Sequence, residues 1–320
     1  MIGKIVLLLL LILPVNVTAL DNSSSAFFGD SSKTGLINLE GNDMILMPKM
    51  SFPEGAGGME LFNRIPVYSI NQSIAGAFFY PLQANTSNLS VCIAAFDLSF
   101  YLSDYREAGF SGKECAKNIL AFNGSNYTID ANDLEGTNGK SFLLSSTSSG
   151  LHSLNLFDEK KSSLLISMPL LITEGQTILQ VPSIVEAEEP FIQVVMNTTV
   201  PGNQSKFFAA ILVSRNNYEN ASIGIAKNKS INSFDITLSL GSKSLQINGS
   251  PKISSELLMG LLPLLPANSA IGLQESTQQG VDLILLPDQS WEKGEYILTG
   301  GIYSPGKGLL GIKQREVLII

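Results

Sequence analysis

Histidine-based chemistry rests on one side chain in this sequence, because His152 is its only histidine. His152 precedes Ser153 in the stretch GLHSLNL, and an imidazole beside a hydroxyl suits general-base catalysis. No Gly-x-Ser-x-Gly motif accompanies the pair, and one histidine cannot build a zinc site of several imidazoles. The corresponding stretch of the second half, EYILTGG, has no histidine, which favours a structural position in a strand. The sequence therefore predicts no catalytic residues and a protein that is not an enzyme.

Carboxylates at short spacing are the second group of side chains that could carry out chemistry. Asp130, Asp133 and Glu135 lie in the stretch TIDANDLEG, and carboxylate oxygens are the ligands that Ca²⁺ prefers. The stretch lacks the full pattern of a twelve-residue calcium loop, because no glutamate closes it. We expect no cofactor apart from this weak calcium candidate. A second acidic cluster is typical of a solvated turn and comprises Glu186, Glu188 and Glu189.

Asparagine-linked glycosylation sequons are frequent. Eleven Asn-x-Ser/Thr triplets follow the N-terminal segment, more than the composition gives by chance. This frequency favours a secreted glycoprotein. The alternative is that Asn- and Ser-rich loops contain such triplets by accident. The acceptor candidates are Asn22, Asn71, Asn85, Asn88, Asn123, Asn126, Asn197, Asn203, Asn220, Asn228 and Asn248.

Cysteine is scarce, with only Cys92 and Cys115 in the chain. Two cysteines cannot form a disulfide framework. One disulfide between them and two independent thiols, one of which fills a core, both fit the sequence.

The N-terminus has the composition of an export signal. Lys4 precedes the apolar run IVLLLLLILP, and small residues follow at VTA, which predicts a secretory signal peptide over residues 1–19. The alternative is an uncleaved anchor. Residues 20–35 form a polar leader, and no later segment reaches transmembrane length, so we expect a secreted or cell-surface protein. Twenty scattered Lys and Arg against 28 Asp and Glu argue against a nucleic-acid partner.

Short segments rich in β-formers, separated by turn residues, fill the rest of the chain. This pattern predicts an all-β fold of two tandem immunoglobulin-like β-sandwich domains, an N-terminal one over 36–175 and a C-terminal one over 176–320. We expect a short helical insertion in each domain. The candidates are residues 105–124 and a helix capped at Ser254–Glu256.

Two weak internal similarities occur in the same order in both halves. SFYLSDYREA resembles AILVSRNNYENA, and each half ends with an outgoing strand, a polar turn, a Leu-Leu pair and a final apolar strand. The pairs are Leu164-Leu165 and Leu309-Leu310. We therefore expect each domain to close with the same hairpin.

The C-terminal half resembles an extracellular domain family of methanogenic archaea, found in secreted and cell-surface proteins of unknown biochemical role. The similar stretches are VPSIVEAEEPFIQVVM, FFAAILVSRNNYENASIGI and the ending GEYILTGGIYSPGKGLLGIKQREVLII. The first half is similar more loosely, around FDLSFYLSDYREA and in the stretch from Gly150 to Thr173. The resemblance implies an envelope-associated protein and brings no functional residues.

Two apolar features are candidates for contact with partners. Trp291, the only tryptophan, either stacks on a ligand or packs over the end of a sandwich. The Leu-rich segment around Leu261 and Leu262 either plugs a sandwich or contacts another subunit. We expect a structural, adhesive or protein-interaction role, with envelope proteins or glycans as partners. The sequence does not indicate an oligomeric state. A glycan- or solute-binding module is the alternative, and a secreted hydrolase is the weaker one.

Overall fold

The computed structural model describes residues 36–40, 43–46, 49–51, 60–61, 64–81, 89–95, 120–121, 137–145, 148–158, 163–228, 233–240, 243–248, 265–287, 290–305 and 307–320. In this part of the chain the fold is all-β, as the sequence predicts. The strands of the first half are β1 (Leu36–Glu40), β2 (Asp43–Leu46), β3 (Lys49–Ser51), β4 (Glu60–Leu61), β5 (Arg64–Ser69), β6 (Ser73–Pro81), β7 (Leu89–Ala95), β8 (Leu120–Ala121), β9 (Thr137–Ser145), β10 (Gly150–Asp158) and β11 (Ser163–Thr173).

The second half contains eleven further strands and one described helix, α1 (Arg215–Glu219). The predicted helices over 105–124 and at Ser254–Glu256 fall outside the described residues, except for Leu120–Ala121, which is strand. The strands are β12 (Thr177–Gln180), β13 (Ile184–Val185), β14 (Ile192–Thr198), β15 (Lys206–Ser214), β16 (Ala221–Asn228), β17 (Ser233–Leu240), β18 (Lys243–Asn248), β19 (Ala270–Ser276), β20 (Gly280–Leu285), β21 (Gly294–Ser304) and β22 (Gly308–Ile319).

The chain divides into two compact units. The C-terminal unit contains Thr173–Ile320 together with Met44–Arg64, and the N-terminal unit contains Ile65–Ile172 together with β1. The excursion Met44–Arg64 belongs to the C-terminal unit because β3 pairs in parallel with β16 and antiparallel with β4. These strands complete a sheet in the order β18-β17-β16-β3-β4.

Each unit has a small sheet and a large sheet with the same strand order. In the N-terminal unit the small sheet is β1-β6-β9 and the large sheet includes β5-β11-β10-β7-β8. In the C-terminal unit the small sheet is β12-β14-β20 and the large sheet is β13-β22-β21-β15-β19. If only the strands of these two sheets are counted along the chain, and β2 at the edge of the first large sheet is left out, each unit has eight, both small sheets read 1-3-6 and both large sheets read 2-8-7-4-5. The strand arrangement of the first unit is therefore repeated in the second.

The final hairpins of the two units share an irregularity. In the β10–β11 pair the register shifts after Leu156, which faces Ile166, so that Phe157 faces Leu164. In the β21–β22 pair the shift follows Ile302, and Tyr303 faces Leu309. The extra residue of each β-bulge is thus the second leucine of the Leu-Leu pair. The prediction that both halves end in the same kind of hairpin is confirmed.

The small and large sheets of the C-terminal unit pack face to face around one apolar core. Side chains at alternate positions of the strands point into it, as the period of two requires. Gly300 permits a close approach, because a Cβ atom there would lie 2.8 Å from Leu179 Cδ1 and 3.0 Å from Met196 Cε. The core residues are Leu179, Val185, Ile192, Val194, Met196, Val200, Phe208, Ala210, Leu212, Ala270, Val281, Leu283, Leu285, Trp291, Tyr296, Leu298, Ile302, Leu310, Val317 and Ile319.

The large sheet of the C-terminal unit is also buried on most of its outer face. The outward residues Ile211 and Val213 of β15 and Ile297 of β21 are at most 4% exposed. A sheet that is covered on both faces needs apolar residues at consecutive positions, which explains the uninterrupted run FFAAILV in β15.

Candidate interaction surface

A polar cluster fixes the covered part of the outer face. The Gln314 side chain projects from β22, and its Nε2 donates to the Tyr218 hydroxyl at 2.8 Å and to Thr299 Oγ1 at 3.0 Å. Its Oε1 accepts a hydrogen bond from the Leu46 N–H at 2.8 Å, while Nε2 also lies 3.3 Å from the Leu46 carbonyl oxygen. Gln314 therefore joins β21, α1 and the excursion Met44–Arg64.

Tyr218 occupies the centre of this cluster. Its ring is fully buried, and burial raises the pKa of the hydroxyl well above 10.0, although hydrogen bonds from Gln314 and Thr299 oppose the shift. A neutral phenol with partners on two strands is a packing element of the outer face. In the sequence, Tyr218 belongs to the internal similarity of AILVSRNNYENA with SFYLSDYREA, but nothing there indicates its hydrogen-bond partners.

The same outer face becomes open at its far end. Ile184 of β13 faces Leu318 of β22 in parallel register, and their exposed fractions are 57% and 40%. Ile320, 41% exposed, follows on the same face by strand alternation. The partners at the next positions, Val185 and Ile319, point into the core. Three aliphatic side chains thus lie together at an open corner of the sheet.

Carboxylates surround these three side chains. Glu186 stands two residues after Ile184, Glu316 stands two residues before Leu318, and both are exposed. Glu295 of β21 faces Leu318 directly and forms an ion pair with Arg215 of α1. We call Ile184, Leu318 and Ile320 with Glu186, Glu295 and Glu316 the acidic-rimmed patch.

The acidic turn after β13 adds negative charge beside the patch. A backbone hydrogen bond from Glu189 N–H to the Glu186 carbonyl closes the turn at 3.1 Å, and Ala187 N–H donates to the Ile320 carbonyl at 2.9 Å. Glu188 and Glu189 are exposed, as a solvated turn predicts. The turn is therefore tied to the chain end that carries the patch.

The sole histidine is a buried strand residue. His152 is 7% exposed on β10, and its Nε2 lies 3.1 Å from the Ser148 carbonyl oxygen. The Ser153 hydroxyl accepts a hydrogen bond from Asn155 Nδ2 at 2.9 Å. This environment agrees with a structural position for His152.

The sole tryptophan belongs to the core of the C-terminal unit. Trp291 is 3% exposed and meets the Tyr296 ring edge-on, with centroids 6.2 Å apart and an interplanar angle of 87°. The indole is therefore not available for stacking on an external ligand. Burial also raises the pKa of the Tyr296 phenol.

A buried lysine was not singled out by the sequence. Lys206 is 2% exposed, and its Nζ lies within hydrogen-bond distance of four backbone carbonyl oxygens, those of Gly202 at 2.7 Å, Thr277 at 3.3 Å, and Gln204 and Gln278 at 3.4 Å. The ammonium group joins the loop before β15 to the loop after β19. Four carbonyl partners satisfy the buried charge and explain why a lysine is tolerated there.

Several predicted sites lie outside the described residues. They are the calcium candidates Asp130, Asp133 and Glu135, the interface candidates Leu261 and Leu262, the thiol Cys115, and the sequons at Asn22, Asn85, Asn88, Asn123 and Asn126. Cys92 lies in β7 opposite Asn155. Within the described residues no three His, Cys, Asp or Glu side chains form a group that could hold a metal ion.

Six sequons fall on described strands and turns. Asn71, Asn203 and Asn220 are exposed, and Asn71 occupies a turn with φ of 64°. Asn197 is partly exposed in β14. Asn228 ends β16 and Asn248 ends β18.

Comparisons with known proteins give no family for this chain. No protein family matches it, and no curated protein matches it. Solved structures match only remotely. A superoxide reductase (neelaredoxin) from Ignicoccus hospitalis has 11% identity and a TM-score of 0.22, and the match covers 46% of this chain and 81% of that one.

Two larger proteins match at a similar level. Escherichia coli alpha-2-macroglobulin has 11% identity and a TM-score of 0.27, with 89% of this chain and 23% of that chain covered. The Yersinia pseudotuberculosis adhesin InvE has 8% identity and a TM-score of 0.21, with 79% and 56% covered. Scores this low support neither a shared fold nor a shared function. In the part of the chain that the structure describes, no helix is long and apolar enough to cross a membrane.

Proposed function

We propose that this chain is an exported glycoprotein of an archaeal cell envelope that acts by binding other envelope proteins and not by catalysis. The observation that carries the proposal is the acidic-rimmed patch. Contiguous exposed aliphatic side chains with a polar rim mark protein-interaction sites on folded proteins. Export and glycosylation are supported by the N-terminal apolar segment and by the sequons, of which Asn71, Asn203 and Asn220 are exposed.

We further propose that each unit is an immunoglobulin-like module. The support is the strand order. Each unit combines a three-stranded sheet with a larger sheet, and the chain visits the strands of the two sheets in the same order in both units. In the C-terminal unit β13 pairs in parallel with the last strand after β12 has paired in the small sheet. The first segment of the unit, β12 followed by β13, thus contributes to both sheets in turn, which is compatible with a sandwich of immunoglobulin type.

The chemistry of the patch indicates the chemistry of its partner. Ile184 and Leu318 offer an aliphatic centre, while Glu186 and Glu316 place negative charge on two sides. A complementary partner surface therefore presents an apolar side chain flanked by Lys or Arg. Charge attraction steers the encounter, so binding weakens as ionic strength rises.

A full-length chain produced in its native cells tests the proposal. We expect the wild type to be retained in the envelope fraction and released by high salt. The double variant Ile184→Ser, Leu318→Ser should appear in the medium. The control variant Ile178→Ser, Ile284→Ser changes exposed residues of the opposite sheet and should stay in the envelope. Equal retention of the two variants would contradict the proposed surface.

The intact mass of the same fractions tests export. A mature chain that starts near Leu20 and carries added mass is expected. An unmodified full-length chain in the cytoplasm would contradict export and glycosylation together.

A further inference from the structure

We propose that Asn197 carries a glycan that covers the outer face of the small sheet in the C-terminal unit. This proposal rests on the proposed export and glycosylation of the chain, and it gives the glycan at Asn197 a role in covering this sheet. Asn197 lies in β14, the central strand of the sheet β12-β14-β20. Its neighbours in the chain, Met196 and Thr198, are buried in the opposite direction, so the Asn197 side chain is on the outer face.

The two strands beside Asn197 place an isoleucine on one side of its amide and a glycine on the other. Ile178 faces Asn197 on β12, and Gly280 faces it on β20. A Cβ atom at Gly280 would collide with the Asn197 amide oxygen, so the amide lies over the space that this glycine leaves. A side chain at position 280 would displace the Asn197 amide from the sheet surface.

The amide groups of the exposed and partly exposed sequons differ in their hydrogen bonds. Asn220 Nδ2 donates to the Asn216 carbonyl oxygen at 2.9 Å, at the end of α1. That nitrogen is the atom to which a glycan attaches, and a bulky substituent on it would have to be accommodated against the helix end. The Asn197 amide lies on a sheet face instead, with Gly280 beside it. The structure therefore favours Asn197 over Asn220 as an occupied site.

The outer face around Asn197 has apolar surface to cover. Ile178 is 46% exposed and Ile284 is 55% exposed, and both belong to edge strands of a three-stranded sheet. Exposed apolar residues on sheet edges favour association with other chains. A hydrophilic, bulky glycan on the central strand stands over Ile178 and hinders a second sheet from docking.

Site-resolved glycopeptide mass mapping of the full chain from its native cells tests the assignment. We expect a glycan at Asn197 and an unmodified Asn220. An unmodified Asn197 in a chain that is glycosylated elsewhere would overturn this inference and leave export intact. A chain without glycan at any sequon would overturn the proposed glycoprotein as well.

Variants of the full chain test the role of the glycan. Asn197→Gln should lose the glycan mass at that site and show about a twofold rise in fluorescence of an apolar-surface dye, with increased self-association. Asn203→Gln removes an exposed sequon in a loop and is the matched control. Thr199→Ser keeps the sequon and the hydroxyl that accepts a hydrogen bond from Gln176 N–H. Identical dye binding and association state in the Asn197→Gln and Asn203→Gln variants would overturn the covering role.

Discussion

The two faces of the large sheet in the C-terminal unit are both buried over most of their length, and they are buried by different means. The inner face packs aliphatic side chains against the small sheet so closely that a Cβ atom at position 300 would displace the ends of Leu179 and Met196. The outer face is fixed by hydrogen bonds of Gln314 to α1 and to Leu46, and it then opens into the acidic-rimmed patch. Close packing defines the sandwich, whereas the polar cluster determines how much of the second face remains available for binding.

The largest effect is expected from overfilling the inner face. Gly300→Val places atoms where Leu179 and Met196 already lie, and overpacking of a core costs about 3 kcal/mol. Urea unfolding followed by the fluorescence of Trp291, which lies in the same core, measures the loss. In combination with Leu179→Ala, the loss should be smaller than the sum of the two single losses, because the truncation makes space for the added methyl groups. Full additivity of the two changes would show that the sheets do not meet at this point.

A smaller effect is expected from the outer face. Gln314→Ala removes the acceptor of the Leu46 N–H and one hydrogen-bond partner of the Tyr218 hydroxyl, and the loss of these buried hydrogen bonds costs about 2 kcal/mol in total. The exposed Gln193 on the small sheet provides the matched control, since Gln193→Ala should change the unfolding free energy little. Equal stability of both variants would mean that the cluster does not hold the outer face.

Alkaline pH should weaken the same cluster. The folded-state pKa of Tyr218 is raised above 10.0, so its protonated form is favoured by folding. This contribution is complete below the unfolded pKa of about 10 and is lost as pH rises through the folded value. Urea midpoints should therefore fall between pH 9 and pH 11, and they should fall less in Tyr218→Phe. An equal decline in both proteins would contradict this origin of the pH dependence.

The smallest effect on stability is expected at the open end of the outer face. Leu318→Ser alters a side chain that is 40% exposed, so the unfolding free energy should change by less than about 1 kcal/mol. Its neighbour Ile319 points into the core, and Ile319→Ser should cost several times more. Similar losses for the two variants would show that β22 does not alternate as described.

Sequence patterns predicted the strands, the repeat and the closing hairpins because these depend on local alternation and turns. The Leu-Leu pairs in particular fall on the two β-bulges. The polar cluster was not predictable, since Leu46 and Gln314 are 268 residues apart in the chain. The acidic-rimmed patch was missed for a related reason, because Ile184 and Leu318 meet only through the parallel pairing of β13 with β22.

The two units repeat one strand arrangement down to the bulge in the last hairpin. Cross-strand nuclear Overhauser effects between backbone protons test it most directly. We expect contacts of Phe157 with Leu164 and of Tyr303 with Leu309, while Leu165 and Leu310 remain unpaired. Contacts that place Leu165 opposite Phe157 but leave Leu310 unpaired would show that the hairpins differ, and they would contradict the repeat.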